Sequence, residues 1–430
     1  MVSSLNERLT LPCGASIKNR LAKAAMTEGV ADAENRATDR HATLYKRWAQ
    51  SGAGLLITGN VMIDRRYLER PGNVAIDGLQ SKEAIATLEA YASAATSADC
   101  DVWVQLSHAG RQSPKYVTTQ PVGPSAVPVK LPGGQFGVPR ALSHEEIEDV
   151  IGRFAFAAAT IKAAGFTGVQ IHGAHGYLIS EFLNPLANLR TDEWGGALEN
   201  RSRLLLRTVD AVRAQVGSGF PISVKLNSSD FQKGGFAFDE CMRVVEWLNQ
   251  AGVDLLEISG GSYEQPQMMG MEGMETPVED FRAQSTIKRE AYFIQYAEEV
   301  SKVAQMPLMV TGGFRSRAAM DEALASDGAD VIGLARPMCV ETNVPGKLLS
   351  GEVSAAQSYE ADLQMGPGIF GPASSIDMLR AVNGFATMAF FYQNIFRLAD
   401  GIEPKAKMAL LPAFLKHQLN EQAAGKNLKR

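Results

Sequence analysis

Cysteine is scarce: Cys13, Cys100, Cys241 and Cys339 are the only four in 430 residues, and no two stand close enough to form a CxxC pair. That spacing excludes a zinc knuckle, an iron–sulfur motif and a dense disulfide framework, and it fits reduced thiols in a cytosol. No apolar run approaches the ~18 residues of a membrane span. The opening MVSSLNERLTLP lacks the basic-then-apolar order of a secretion signal, so a cytoplasmic location is expected. Positive charge is not in excess either: 42 Lys and Arg against 47 Asp and Glu leave a net charge of −5. No basic block interleaves with aromatics, which argues against a nucleic-acid partner and leaves a small molecule as the expected one. What is present is 45% hydrophobic residues, enough for a large core.

Short apolar, β-branched runs recur at 21–26, 54–60, 102–107, 168–172, 222–227, 254–259, 307–311 and 330–335. Segments of helical periodicity separate them, at 38–51, 81–98, 144–165, 200–216, 239–251, 285–305 and 316–327. Ser143 and Glu146 have capping-box spacing at the start of the third. Strand runs apolar on both faces, alternating with helices, favour an α/β fold of the (β/α)8 TIM-barrel type; an open doubly wound sheet is the alternative on pattern alone. LTLPCGASIKN reads as an N-terminal hairpin that plugs the barrel's lower end. Residues 112–142 form a long rim loop with a hairpin of its own. The barrel is expected over 1–349. A mostly helical extension follows over 350–430, packed on the barrel wall or on a second subunit of a homo-oligomer.

GPGIFG, residues 366–371, matches G-x-G-x-x-G, but it neither follows a strand nor opens a helix, and prolines disturb it. VTGGFRSR (310–317) and GLARP (333–337) are better phosphate ligands, because the loops after the seventh and eighth barrel strands meet a helix N-terminus there. Gly312 and Gly313 permit close backbone approach, and Arg336 adds a charge-assisted bond. Glycine punctuation before a helix capped by Ser316 is the plain structural reading.

In GVQIHGAHGYLISEF, His172, His175 and Tyr177 crowd the end of the fourth strand, on the face where barrel active sites lie. Read alone, the pair permits a substrate clamp, a facial triad completed by Glu181, or packing. The other histidines show no ligand-like spacing to it, so no metal is expected.

Residues 168–209, with the run RTDEWGG…ENR, resemble the old yellow enzyme family of FMN-dependent oxidoreductases. NRLAKAAMT, GLLITGN, VQLSHAGR, VTGGF and GLARP match further blocks of that family in order, so the resemblance spans about 9–338. It independently implies a TIM barrel. It also implies that Ala24, Ala25 and Met26 line the flavin, that Thr27 meets its O4, and that Gly59 and Gln105 meet its pyrimidine edge. Lys225 would stand beside N1 and O2, where the family usually has arginine, and Gly312, Gly313, Ala335 and Arg336 would hold the phosphate. His172 and His175 would grip a substrate carbonyl and Tyr177 would donate the proton. Ala25 replaces a frequent proline, and Glu28 replaces a basic or aromatic residue, which implies an unusual substrate contact at Glu28.

The implied reaction passes hydride from NADH or NADPH through FMN to the activated C=C bond of an enone or enal-like compound. A related flavin dehydrogenase or a dienoyl-CoA reductase-like enzyme is the alternative within the class. Outside it stand a metal-dependent barrel hydrolase or lyase using His172 and His175, and a barrel that binds flavin without turnover.

Overall fold

The computed structural model describes residues 4–131, 134–261, 293–368, 371 and 374–429. Eight strands close into an all-parallel barrel: Leu21–Lys23, Leu55–Met62, Asp101–Ser107, Gly168–Gly173, Ile222–Asn227, Leu255–Ser259, Leu308–Thr311 and Val331–Leu334, the last pairing with the first. All eight fall where the apolar runs predict them. The first is shorter than predicted: Ala24 still donates to Leu334 and stays buried, and Ala25 and Met26 continue onto the rim.

Helices return the chain outside the barrel, among them Asp39–Ala49, Lys82–Ala95, His144–Ala163, Arg203–Val216, Phe238–Gln250 and Arg317–Ala325. The Ser143 hydroxyl accepts from the Glu146 amide and the Glu146 carboxylate accepts from the Ser143 amide, a reciprocal cap worth about 1 kcal/mol. Of the helix predicted over 285–305, the described part is Ile294–Val300; its first residues lie outside the described ones.

Alternation along each strand sorts the side chains. Val102, Val104 and Leu106 face the helices, while Trp103 joins Ala22, Leu55, Leu255 and Met309 in an apolar floor inside the barrel. Leu9, Leu11 and Ile17 of the N-terminal hairpin, whose Leu9–Thr10 and Ser16–Ile17 pair antiparallel, complete that floor from below. Gly168 is needed beside it: a Cβ there would stand 2.5 Å from the Trp103 indole. The next layer up is polar, and it positions the site.

The rim loop after the third strand holds a two-residue ladder, Val122–Gly123 with Arg140–Ala141, and this pairing is parallel. The hairpin expected there is therefore corrected, since a hairpin's strands run antiparallel. Beyond the barrel, helix Asp377–Ala399 lies against helix Asp39–Ala49 and the turn Arg336–Cys339, and helix Leu410–Asn427 packs on it in turn. Arg40 bonds Asp400 at 2.7 Å, and the link between the two helices is pinned by Asn394, which accepts from the Lys405 amide and donates to its carbonyl. GPGIFG lies partly outside the described residues, and the next helix begins only at Asp377. Among the described residues no helix is long and apolar enough to cross a membrane.

Candidate active site

Above the apolar floor, inward positions of four adjacent strands carry polar side chains that bond across the barrel. Gln105 donates to Gln170 (2.7 Å), Gln170 donates to Glu257 (2.8 Å) and to Ser223 (3.2 Å), and Lys225 pairs with Glu257 at 2.9 Å. Register explains the order: Gln105 lies opposite Gln170, and Lys225 lies opposite both His172 and Glu257. Of this chain, Gln105 and Lys225 were expected and Gln170 and Glu257 were not. Glu257 had a signal, a charged residue inside the apolar run DLLEIS; two steps from Leu255, it shares the inward face.

His172 sits at the top of the fourth strand with its ring 5.1 Å from that of His175 and 4.8 Å from that of Tyr177, both edge-on. Its Nδ1 accepts from the Ala174 amide at 3.2 Å, so the ring proton of the neutral imidazole resides on Nε2. His175 follows in the left-handed region, φ 63°, a conformation that costs a non-glycine residue about 1 kcal/mol. Its backbone is held there from two sides: Asn227 accepts its amide proton and Gln112 donates to its carbonyl. Its Nε2 lies 2.6 Å from the Ser259 hydroxyl. Tyr177 caps the short helix Leu178–Leu183 and is buried among Met62, Leu68, Ala109 and Val117 of the neighbouring rim loops. Glu181, the third member of a would-be metal triad, accepts the Arg111 amide proton at 2.8 Å. Among the described residues no three His, Cys, Asp or Glu side chains converge as a metal site.

Burial, the neighbouring His175 and the Lys225 ammonium hold His172 well below the ordinary histidine range, and burial with Lys225 does the same to His175. His41 and His108 are pushed down to about 4, mainly by burial. A neutral buried histidine stabilises the fold fully above the unfolded value of about 6.5 and loses that contribution as pH falls toward the folded value. The melting temperature is therefore expected to hold above pH 6.5 and to drop steadily between pH 6.5 and 4, as read by circular dichroism.

Ala25, Met26, Thr27, Ala335 and Arg336 share one cavity of about 250 Å³, so the first-strand block and the phosphate block come together. Ala24 does not join them; it is fully buried in the apolar floor. Gly312 and Gly313 take φ of 119° and 86°, open to glycine, and the buried Thr311 hydroxyl beside them has no hydrogen-bond partner among the described residues. Arg315, not anticipated although it stands two residues past Gly313, joins Arg336 in binding the Glu360 carboxylate. An anionic group thus already bridges the two guanidinium groups, which is the chemistry a phosphate would require.

Three of the expected site residues have partners within the chain. Glu28 is buried and accepts from the Gly59 amide (2.8 Å) and the Tyr45 hydroxyl, so its carboxylate ties the first strand's exit to the second strand. Gly59 serves the same junction: a Cβ there would lie 2.4 Å from the Met26 carbonyl oxygen. The Thr27 hydroxyl donates to Glu69 at 2.9 Å.

Residues 12–353 match the model of the NADH:flavin oxidoreductase / NADH oxidase family. The chain is 37% identical over 354 residues to the NADH-dependent flavin oxidoreductase iliE of Hypocrea jecorina, covering 78% of this chain and 86% of that protein. Among solved structures it is similar to an old yellow enzyme homologue from Zymomonas mobilis, with a TM-score of 0.67 and 27% identity over 82% of this chain and 94% of the other. It is also similar to a 2-naphthoyl-CoA reductase in complex with 2-naphthoyl-CoA, with a TM-score of 0.73, 25% identity and 83% of this chain covered; the chain spans 54% of that longer protein.

Proposed function

Because the chain belongs to the NADH:flavin oxidoreductase / NADH oxidase family, with FMN and a reduced nicotinamide as cofactors, we propose that it reduces the activated C=C bond of α,β-unsaturated carbonyl compounds at His172, His175 and Tyr177. The observation that carries this reading is the edge-on cluster of those three rings at the C-terminal end of a barrel strand, beside the Lys225 ammonium's register position. FMN, when bound, supplies a two-electron carrier between the nicotinamide and carbon. The residues fit such a group: Ala25, Met26 and Thr27 face Ala335 and Arg336 across one cavity, Gly312 and Gly313 leave a backbone cradle, and Gln105 and Lys225 offer an amide and a cation.

His172 Nε2–H donates to the substrate's carbonyl oxygen. Electron density leaves the β-carbon, which becomes the hydride acceptor. For His175 to donate as well, the Ser259 hydroxyl must donate its hydrogen bond to Nε2, with the ring proton on Nδ1. Depressed proton affinity keeps both rings neutral, so they polarise the carbonyl without protonating it. Tyr177 transfers its phenolic proton to the α-carbon and regains one from solvent.

Tyr177→Phe is expected to slow reoxidation of the reduced enzyme by 2-cyclohexenone about 10²-fold while NADH reduces the flavin at the wild-type rate. Stopped-flow absorbance separates the two half-reactions, and equal enone rates in both proteins would remove Tyr177 from the proton step.

A further inference from the structure

The two C-terminal helices lie outside the residues shared with the family, 12–353, yet they wall a large cavity at the barrel's rim. That cavity, about 720 Å³, opens between the loop after the third strand and helices Asp377–Ala399 and Leu410–Asn427. Four of its lining residues link it to the site. Gln112 donates to the His175 carbonyl, Glu69 accepts from Thr27, and Met388 and Tyr392 also line the small cavity that holds Ala25, Met26 and Arg336.

The wall is held in place from within the barrel. Arg70, on the loop after the second strand, is buried between the two helices: its guanidinium forks onto Glu421 at 2.5 and 3.1 Å and lies 4.1 Å over the Tyr392 ring. His417 stacks on the same ring at 4.8 Å with the planes 4° apart. A buried fork of this kind fixes geometry as well as charge. The helix pair is thus fastened to the barrel at the cavity itself.

Resting on the reading above, we propose that the C-terminal helix pair is the specificity element of the active site, and that it selects a bulky, planar, aromatic-bearing enone with neutral oxygen substituents. Volume supports bulk: cavities of roughly 300–1,000 Å³ suit drug-sized ligands, and a single-ring enone leaves most of this one empty. The lining supports planarity, with Tyr116, Phe136, Phe385 and Tyr392 offering ring faces and edges. The polar lining supports neutrality: Gln112, Gln135, Gln418 and Gln422 present amides that suit hydroxyl and carbonyl groups, Lys115 and Glu69 contribute one charge of each sign, and the Arg70 guanidinium is paired with Glu421.

The test compares 4,4′-dihydroxychalcone with 2-cyclohexenone on the FMN-loaded enzyme and its Phe385→Ala and Phe385→Ala/Phe136→Ala variants. Phe385 is 40% exposed, so its loss is not a core defect. Wild type should favour the chalcone in kcat/KM by at least tenfold, and each variant should lower the chalcone-to-cyclohexenone ratio about tenfold, chiefly through KM. Direct titration of the oxidised flavin spectrum should weaken the chalcone Kd by a similar factor, independent of turnover. If neither enone reoxidises the flavin, ene reduction fails as the activity, while the Kd comparison still decides the wall's role. An unchanged ratio and an unchanged Kd in both variants would overturn the proposal.

Discussion

Replacing His172 by alanine is expected to lower kcat/KM for enone reduction by about 10²–10³-fold, the usual cost of removing one donor from a charge-stabilising site. The proton that does the work is defined by local backbone: the Ala174 amide occupies Nδ1, so Nε2–H is the remaining donor of that ring. Reduction of the flavin by NADH should change far less, because hydride donation from the nicotinamide develops no negative charge on a carbonyl oxygen. His172→Asn, which retains an N–H donor, should recover part of the loss. Removing His175 as well should add little to the His172→Ala defect, since two donors on one oxygen act as a unit. Steady-state kinetics with 2-cyclohexenone at saturating NADH measure all four proteins.

Lys225→Met is expected to destabilise the fold by about 3–5 kcal/mol, because it leaves Glu257 as an uncompensated charge inside the barrel. Lys225 is 6% exposed at its side chain and Glu257 is fully buried, with 2.9 Å between them. Glu257 also anchors Gln170, so the loss extends along the polar layer to Gln105. The double variant Lys225→Met/Glu257→Met should recover most of the stability, as paired charges replaced together by apolar groups are often neutral. Urea denaturation of wild type, both single variants and the double variant closes the double-mutant cycle. Without recovery, the ion pair is not what the single variant lost. The same pair qualifies the lysine-for-arginine exchange: Lys225 keeps the charge and shares it with a carboxylate, and it lacks the planar fork that would bind a second partner through two parallel bonds.

The barrel was legible because its strands are parallel and covered on both sides, so each appears as an apolar run between helical segments. The histidine pair was legible because it stands at a strand's end, where the fold class alone assigns chemistry. Two kinds of information were hidden. One is cross-strand pairing: Gln170 and Glu257 stand 87 residues apart, and their bond follows from register, which period-two patterns do not disclose. The other is long-range docking. Arg70 and Glu421 are separated by 351 residues, so nothing in LERPG or HQLNEQ signals that they meet. Glu28 belongs to the same class. Its departure from the family's basic or aromatic residue suggests a substrate contact and does not disclose that the Gly59 amide and the Tyr45 hydroxyl donate to it.

The most direct test of enone reduction is an anaerobic absorbance titration of the FMN-loaded protein. One equivalent of NADH should bleach the flavin band, and one equivalent of 2-cyclohexenone should restore it with formation of cyclohexanone. A flavin that NADH bleaches but that only oxygen recolours, with the enone recovered unchanged, would contradict it.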